Sequence, residues 1–140
     1  DIKAERADKL SSVYAVALLQ RDRQLLAAAY STGLIRLFQL DEAIPTWLAD
    51  QEPAQASVTW LAHQGAVNAL TWVAQGPTTL LVSGGEDGYL CVWALSDLLQ
   101  AASKTPRGMA TLAPVFRVAL PREGAAAWGL AGLAKGVVGP

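Results

Sequence analysis

The sequence predicts an all-β protein built from small antiparallel sheets, and three observations support this prediction. Apolar runs of four to seven residues are separated by polar or glycine-containing turns, and runs of this length favour strands over helices. The same succession of runs occurs twice along the chain. Hydrophobic residues make up 52% of the chain and charged residues only 16%, which excludes a disordered tail.

The first group of strands is predicted at residues 12–40, after a mixed-charge lead-in of residues 1–11. Apolar runs occupy residues 13–18, 25–30 and 34–40. The last turn contains Gly33, which can adopt a positive φ at little cost. Three short strands joined by tight turns predict an antiparallel meander.

Two connections interrupt the strands. Residues 41–56 contain two prolines and four acidic residues but no basic residue, which predicts a long acidic insertion. Residues 96–114 contain a helix-prone stretch, for which Ser96 is the expected N-cap. These connections separate three strand-forming regions.

The second group of strands is predicted at residues 57–95, with apolar runs at 57–61, 67–73, 80–83 and 89–95. Residues 115–140 begin with one more strand-like run at residues 115–120 and predict the start of a third group.

The two groups of strands are copies of each other. Several positions match at a spacing of 55 residues. The matched pairs are Leu26 with Leu81, Gly33 with Gly88, Leu37 with Val92, and Phe38 with Trp93. Repeated antiparallel sheets at this period are typical of β-propeller blades with loop insertions. The predicted units are therefore a first blade at 12–40, a second at 57–95 and the start of a third at 115–140.

Four polar or aromatic residues of the second copy can form a buried hydrogen-bonded tetrad: His63, Ser83, Asp87 and Trp93. Asp87 can accept from one imidazole nitrogen, and the other imidazole nitrogen can meet the Ser83 hydroxyl. The indole N–H of Trp93 can only donate, and the same hydroxyl can accept it. Each bond contributes about 0.5–1.5 kcal/mol net, and a buried partner left unpaired costs about 1–3 kcal/mol.

Catalytic interpretations of the same stretch are weaker. His63, Ser83 and Asp87 could be mistaken for a hydrolase triad, but Ser83 lies within a predicted strand and no Gly-x-Ser-x-Gly elbow surrounds it. The glycine-rich residues 84–88 lack the Lys-Ser/Thr pair of a phosphate-binding loop. Cys91, on a predicted strand, is expected to be a buried, inert thiol.

The residues of the tetrad, with Ala62 before His63 and Gly88 after Asp87, resemble the WD40 repeat. The usual Gly-His pair appears here as Ala-His, and the usual Trp-Asp pair as Trp93-Ala94. In the first copy the corresponding Ser, Asp and Trp places hold Ala28, Thr32 and Phe38. That copy is therefore expected to keep its strands without a tetrad.

The WD40 resemblance implies a β-propeller of four-stranded antiparallel blades, usually about seven of them. This chain would supply an incomplete ring of about two blades and the start of a third. We expect a fragment of such a ring, whose remaining blades lie elsewhere in the polypeptide. Two blades alone would leave strand edges and apolar faces unpartnered, which is an aggregation hazard.

The resemblance also implies a partner-binding face, where the turns entering the inner strands meet the turns joining the middle strands. The residues carried onto that face are Tyr14, Ser31, Asn68, Glu86 and Trp128. Tyr14 and Trp128 would be aromatic interface anchors, although Trp128 could equally pack between blades.

The composition excludes several other functions. The formal net charge is −1, so no general attraction to nucleic acid or to anionic membranes is expected. One cysteine and one histidine cannot form an internal disulfide or a multi-cysteine metal site. We expect no cofactor, no metal and no small-molecule substrate, and no apolar run reaches membrane-spanning length.

The expected function is a non-enzymatic scaffold that binds other proteins in a multi-subunit complex. The layout, with a charged lead-in, a degenerate first copy and long insertions, is similar to that of a WD40 subunit of the THO complex of mRNA export. That resemblance implies an intracellular, nuclear protein. The alternatives are a substrate receptor of a cullin ubiquitin ligase, disfavoured by Ala94 and Ser96 after Trp93, and an enzyme with catalytic residues outside this chain.

Overall fold

The structure is a computed structural model that describes residues 12–41, 43–45, 55–105 and 108–121. The lead-in of residues 1–11, most of the acidic insertion and the predicted third unit beyond residue 121 lie outside the described residues.

The described residues form nine strands and one ten-residue helix in chain order, and the all-β prediction is confirmed. The strands are β1 (Val13–Gln20), β2 (Gln24–Tyr30), β3 (Leu34–Gln39), β4 (Val58–Leu61), β5 (Val67–Gln75), β6 (Thr78–Gly85), β7 (Tyr89–Ala94), β8 (Met109–Ala110) and β9 (Phe116–Ala119), and the helix is α1 (Leu95–Lys104), which follows β7. Leu40, Asp41 and residues 43–45 are also helical.

The first sheet has the strand order β1-β2-β3-β4-β8. Its first four strands are antiparallel, and short turns join β1 to β2 and β2 to β3. The two-residue strand β8 pairs with β4 in the parallel direction. The sequence did not predict β8, because two residues of Met109-Ala110 carry no alternating pattern that could identify a strand.

The second sheet has the order β5-β6-β7-β9 and is antiparallel throughout. Its last strand, β9, pairs with β7 through Leu90 opposite Val118 and Val92 opposite Phe116. The run at residues 115–120, which the sequence predicts as the start of a third unit, therefore lies at the edge of the second sheet.

The predicted blade boundaries differ from the sheets by one strand. The first run of the predicted second blade, β4, pairs with β3 through Ile35 opposite Trp60 and Leu37 opposite Val58. It completes the first sheet, just as β9 completes the second. The physical reason is that the loop from β4 to β5 crosses to the next sheet instead of turning back as a hairpin, so β4 pairs with the free edge of β3.

The turns confirm the internal repeat at the level of single hydrogen bonds. The Ser31 N–H donates to the Ser12 carbonyl at 2.8 Å, and the Glu86 N–H donates to the Ala66 carbonyl at 2.8 Å. Ser31 and Glu86 are 55 residues apart. The two meanders thus close their inner strands in the same way.

The two sheets pack face to face around one apolar core. The first sheet contributes Leu25, Ala27, Ala29, Ile35, Leu37 and Trp60, and the second contributes Leu81, Cys91 and Trp93. The rings of Trp60 and Trp93 meet edge to face with centroids 5.5 Å apart, an arrangement that favours aromatic pairs. Burial of these side chains is the main force that holds the sheets together.

Helix α1 packs its buried Leu98 against this core. The helix begins at Leu95, and its N-cap residue is Ala94, which makes no side-chain capping hydrogen bond. The expectation that Ser96 is the N-cap is wrong, because the helix starts directly after β7 and Ser96 lies in its first turn. No helix in the described part of the chain is both long and apolar enough to cross a membrane.

Candidate functional site

The loop between β4 and β5 carries the only histidine of the chain and is anchored to the first sheet. The N–H groups of Ala62 and His63 both donate to the Gly33 carbonyl, at 2.9 Å and 3.2 Å. Gly33 lies in the turn between β2 and β3, where its φ is +94°. The turn of the first sheet therefore positions the histidine that serves the second sheet.

His63 contacts Asp87 in the turn between β6 and β7. The imidazole Nδ1 lies 3.0 Å from Asp87 Oδ1, and His63 is only 2% exposed. The carboxylate also accepts the backbone N–H groups of Gln64, at 2.9 Å, and Tyr89, at 3.2 Å. Asp87 therefore ties its own turn to the loop that carries His63.

The hydrogen bonds of the tetrad have one consistent direction. A carboxylate only accepts, so the proton of the neutral imidazole is on Nδ1 and its Nε2 is an acceptor. The Ser83 hydroxyl donates to that Nε2 at 2.8 Å and accepts the Trp93 indole N–H at 3.0 Å. The structure thus brings all four residues together, and each polar atom that joins them has a partner.

The tetrad holds His63 in its neutral form. Burial lowers the pKa of His63 below its ordinary value and outweighs the opposite effect of the nearby Asp87 carboxylate. For Asp87, burial acts to raise the pKa, but the hydrogen bonds from Gln64, Tyr89 and His63 outweigh it and hold the pKa below its ordinary value. A neutral imidazole is what the Ser83 hydroxyl needs as its acceptor.

These pKa shifts predict that the free energy of unfolding falls as the solution is acidified from about pH 7.5 to pH 5.5. The unfolded chain binds a proton at His63 near its ordinary pKa of 6.5, whereas the folded chain binds it only at lower pH. Between the pKa of His63 in the unfolded chain and its lower pKa in the folded chain, the free energy of unfolding falls by up to about 1.4 kcal/mol per pH unit. Asp87 adds a second loss below its ordinary pKa of 3.8.

Urea unfolding followed by tryptophan fluorescence at several pH values measures this dependence. His63 is the only histidine of the chain, so the His63→Gln variant is a matched control and should have a flatter stability profile between pH 7.5 and pH 5.5. An equal slope in the variant would contradict the assignment to His63.

Gly85 supports the tetrad, a role that the sequence does not indicate. A Cβ atom at Gly85 would lie 2.5 Å from Nδ1 of His63 and 2.8 Å from Oδ1 of Asp87, so any side chain would displace the imidazole. In the sequence this glycine is simply one of the glycine-rich residues 84–88. Its position two residues after Ser83 was the only available signal, because β-strand alternation places both on one side of the sheet.

The structure leaves no accessible nucleophile in the tetrad. Ser83 is 0% exposed, and its hydroxyl is bonded to both His63 and Trp93, so a substrate carbonyl cannot approach it. Cys91 is 2% exposed, and burial raises the pKa of its thiol to about 11. The thiol is thus protonated at neutral pH and unreactive.

The first copy has the same strands with different side chains at the matching places. Ala28 is paired with Arg36 where Ser83 is paired with Cys91. An alanine at the serine position has no hydroxyl to join a histidine and an indole, so the first sheet packs without this network.

Two predicted face residues occupy matching β-bulges. The register of β1 shifts between Val13 and Ala15, which leaves Tyr14 as the extra residue. The register of β5 shifts in the same way at Asn68. A bulge turns a side chain away from the regular alternation, and both side chains are exposed, Tyr14 to 55%.

The other two described face residues lie in the adjacent turns. Glu86 is exposed, and its side chain passes over Gly65. A Cβ atom added to Gly65 would lie 3.3 Å from Oε1 of Glu86. Ser31 is half-buried, and its hydroxyl accepts the Ser12 N–H at 3.0 Å. These turns surround the loop that carries His63, at one end of both sheets. The fifth predicted face residue, Trp128, lies outside the described residues.

Trp72 contacts the first sheet in a way that its sequence position did not indicate. Its indole N–H donates to the Ala17 carbonyl at 3.0 Å, so it joins β5 to β1 by a polar bond as well as by packing. The apolar run at residues 67–73 does not indicate this bond, because a strand pattern does not reveal which backbone lies opposite a side chain.

Residues 55–94 match the sequence model of the family described as "WD domain, G-beta repeat". The matched segment contains β4 to β7 and all four residues of the tetrad. One repeat in sequence therefore spans the last antiparallel strand of the first sheet and three strands of the second, which explains the one-strand offset described above. Residues 55–94 are thus similar to a WD40 repeat, and the two packed sheets of the chain are consistent with neighbouring blades of a β-propeller.

Proposed function

We propose that the chain is a non-enzymatic WD40 scaffold that displays one end of its two sheets to other proteins. The observation that supports this proposal best is the pair of matching bulges, which expose Tyr14 and Asn68 at equivalent positions of the two copies. WD40 repeats generally mediate protein–protein contacts, and an exposed tyrosine is a frequent anchor in such interfaces.

The mechanism is rigid display. The tetrad ties the turn at Asp87 to the loop at His63, and this loop is tied to Gly33 of the first sheet. Glu86 and Asn68 therefore keep their spacing from Tyr14 when a partner docks. A preformed surface loses little conformational entropy on binding.

Replacing face residues should weaken partner binding while leaving the fold intact. We expect Tyr14→Ala and Glu86→Lys each to reduce the recovery of a bound partner about tenfold, because truncation of an interface anchor costs about 1–2 kcal/mol. Quantitative mass spectrometry of proteins that co-purify with the tagged chain measures this, with thermal melting as the check on folding.

Gln75→Lys is the matched control for Glu86→Lys. Gln75 is exposed at the opposite end of β5, so the new lysine there should leave partner recovery unchanged. If Tyr14→Ala and Glu86→Lys retain the full set of co-purified proteins, the face has been assigned to the wrong end of the sheets.

We further propose a place in a nuclear complex of mRNA processing and export, similar to that of the THO WD40 subunit. This finer proposal rests on the layout of the chain, with its charged lead-in, its degenerate first copy and its two long connections. Co-purification of mRNA-export proteins would support it. Recovery of a cullin and its adaptor would instead indicate a ubiquitin-ligase substrate receptor, and loss of a hydrolase activity in Ser83→Ala would contradict the scaffold itself.

A further inference from the structure

A groove lies at the end of the sheets opposite the tetrad. At that end, Gln20 pairs with Gln24 across the hairpin of β1 and β2, and Gln75 pairs with Thr78 across the hairpin of β5 and β6. These two hairpins and the start of α1 enclose a groove of about 370 Å³, within the range of about 300–1,000 Å³ that is common for binding sites. The groove is therefore separate from the partner-binding face proposed above.

The floor of the groove is apolar. It is formed by Leu19 of β1 and by Leu95 and Leu99 of α1, all of them half-buried. The same three side chains pack against the core between the sheets, so the fold holds them in place before anything binds. Pro77 extends the apolar lining onto the second hairpin. A floor of this kind favours a ligand that brings an apolar group, because both apolar surfaces then leave water.

The rim of the groove carries two guanidinium groups. Arg21 and Arg23 are exposed in the turn between β1 and β2, and both line the groove. Neither forms an ion pair with another described residue. Asp22 lies between them, so the two cations and one carboxylate give this turn a net charge of +1. A guanidinium can donate two parallel hydrogen bonds to a carboxylate, so the rim favours an anionic ligand.

The second copy shows that a hairpin at this place needs no charged residue. Gly76 and Pro77 close the turn between β5 and β6, where the first copy has Arg21, Asp22 and Arg23. No described atom lies within 4 Å of a Cβ added to Gly76, so this side of the groove is clear. The formation of the turn therefore does not explain the two arginines of the first copy.

We propose that the groove binds a short acidic segment of another protein, in which apolar side chains are flanked by carboxylates. The apolar side chains pack on Leu19, Leu95 and Leu99, and the carboxylates accept hydrogen bonds from Arg21 and Arg23. This occupant matches both the apolar floor and the cationic rim, whereas a small inorganic anion would leave the floor uncovered. The groove thus adds a second interaction surface at the opposite end of the sheets.

Fluorescence anisotropy of labelled peptides mixed with the full 140-residue chain tests the proposal. The probe is the peptide Glu-Glu-Leu-Leu-Glu-Glu. One comparison peptide has serines in place of the leucines, and another has lysines in place of the glutamates. We expect saturable binding of the probe and binding of each comparison peptide that is at least about tenfold weaker, because each lacks one of the two matching features.

Two outcomes of this experiment would overturn the proposal. The first is the absence of saturable binding up to about 1 mM probe, which is the limit of a useful interaction of this size. The second is equal binding of the serine peptide, which would mean that the apolar floor makes no contact with the ligand.

Arg21→Glu and Arg23→Glu test the location of the site. Both residues are exposed in a turn, so both variants should fold, as circular dichroism can verify. Each should weaken probe binding about tenfold, because a cation that pairs with the ligand becomes a repelling anion. Unchanged binding in both variants would place the probe elsewhere on the chain and overturn the proposal.

Lys104→Glu is the matched control, since it makes the same change of charge at an exposed residue in the last turn of α1. That turn lies roughly 14 Å along the helix axis from Leu95. At about 0.15 M salt this distance exceeds the screening length, so probe binding should change by less than about twofold. Equal weakening by all three variants would indicate attraction by overall charge and would overturn the assignment to the groove.

Inorganic phosphate separates a peptide site from a simple anion site. At constant ionic strength, about 10 mM phosphate should release only a minor part of the bound probe, because it competes for the guanidinium groups but not for the apolar floor. Complete release of the probe would indicate a phosphate site and would overturn the peptide assignment.

Discussion

Gly33→Ala is expected to destabilise the protein far more than Gly88→Ala. The two glycines occupy the same turn position in the two copies, and their φ angles are +94° and +85°. Alanine is disfavoured in that region, which costs each variant about 1–2 kcal/mol. The difference between the variants therefore reports on the surroundings of each turn instead of its backbone conformation.

Those surroundings differ because, in the described structure, the His63 loop lies directly against Gly33 but not against Gly88. A Cβ atom at Gly33 would overlap the carbonyl oxygen of His63 and would lie 2.9 Å from that of Gly65. At Gly88 no atom of the described structure lies within 4 Å of such a Cβ. Backbone oxygens cannot move aside as a flexible side chain can, so Gly33→Ala should lose about 1–3 kcal/mol more than Gly88→Ala.

Urea unfolding of the two variants beside the unmodified chain measures the difference. Tryptophan fluorescence is a suitable signal, because Trp60 and Trp93 are buried in the core between the sheets. Equal losses in the two variants would show that the His63 loop does not rest on Gly33.

His63→Ala is expected to cause the largest loss among variants of the tetrad. The change removes the acceptor of the Ser83 hydroxyl and the donor to Asp87, and it leaves a cavity at a site only 2% exposed. Each buried partner left unpaired costs about 1–3 kcal/mol, so a loss of about 2–4 kcal/mol is expected, with little effect on which partner is bound.

Gln64→Ala is the matched control, because Gln64 is the exposed neighbour of His63 and contacts Asp87 only through its backbone N–H. That variant should change the free energy of unfolding by less than about 0.5 kcal/mol. If His63→Ala loses no more stability than Gln64→Ala, the buried network does not contribute to the fold.

Strand positions were largely predictable, because they follow from side-chain alternation within a few residues. The runs at residues 25–30 and 34–40 match β2 and β3 to within one residue at each end. The spacing of Ser83, Asp87 and Trp93 likewise indicated one network, because a hairpin places residues at fixed separations on neighbouring strands.

Strand partners were not predictable in the same way. β4 is only five residues from β5 but pairs with β3, eighteen residues earlier in the chain. Proximity in sequence favours a hairpin of β4 with β5. The loop at His63 instead crosses to the next sheet, so β4 pairs with the free edge of β3. The short parallel strand β8 has the same cause, since only the exposed edge of β4 gives it a partner.

Residue order alone was enough to predict that this protein is all-β, that its two meanders are copies, and that only the second has the side chains of the tetrad. These properties depend on alternation and spacing over short distances, so they can be inferred from residue order. The contacts made after folding were needed to show that the His63 loop rests on Gly33 and that Gly85 must lack a side chain. Those properties depend on which backbone atoms lie close together after the sheets pack. Residue order alone does not specify these contacts, because the atoms belong to distant parts of the chain.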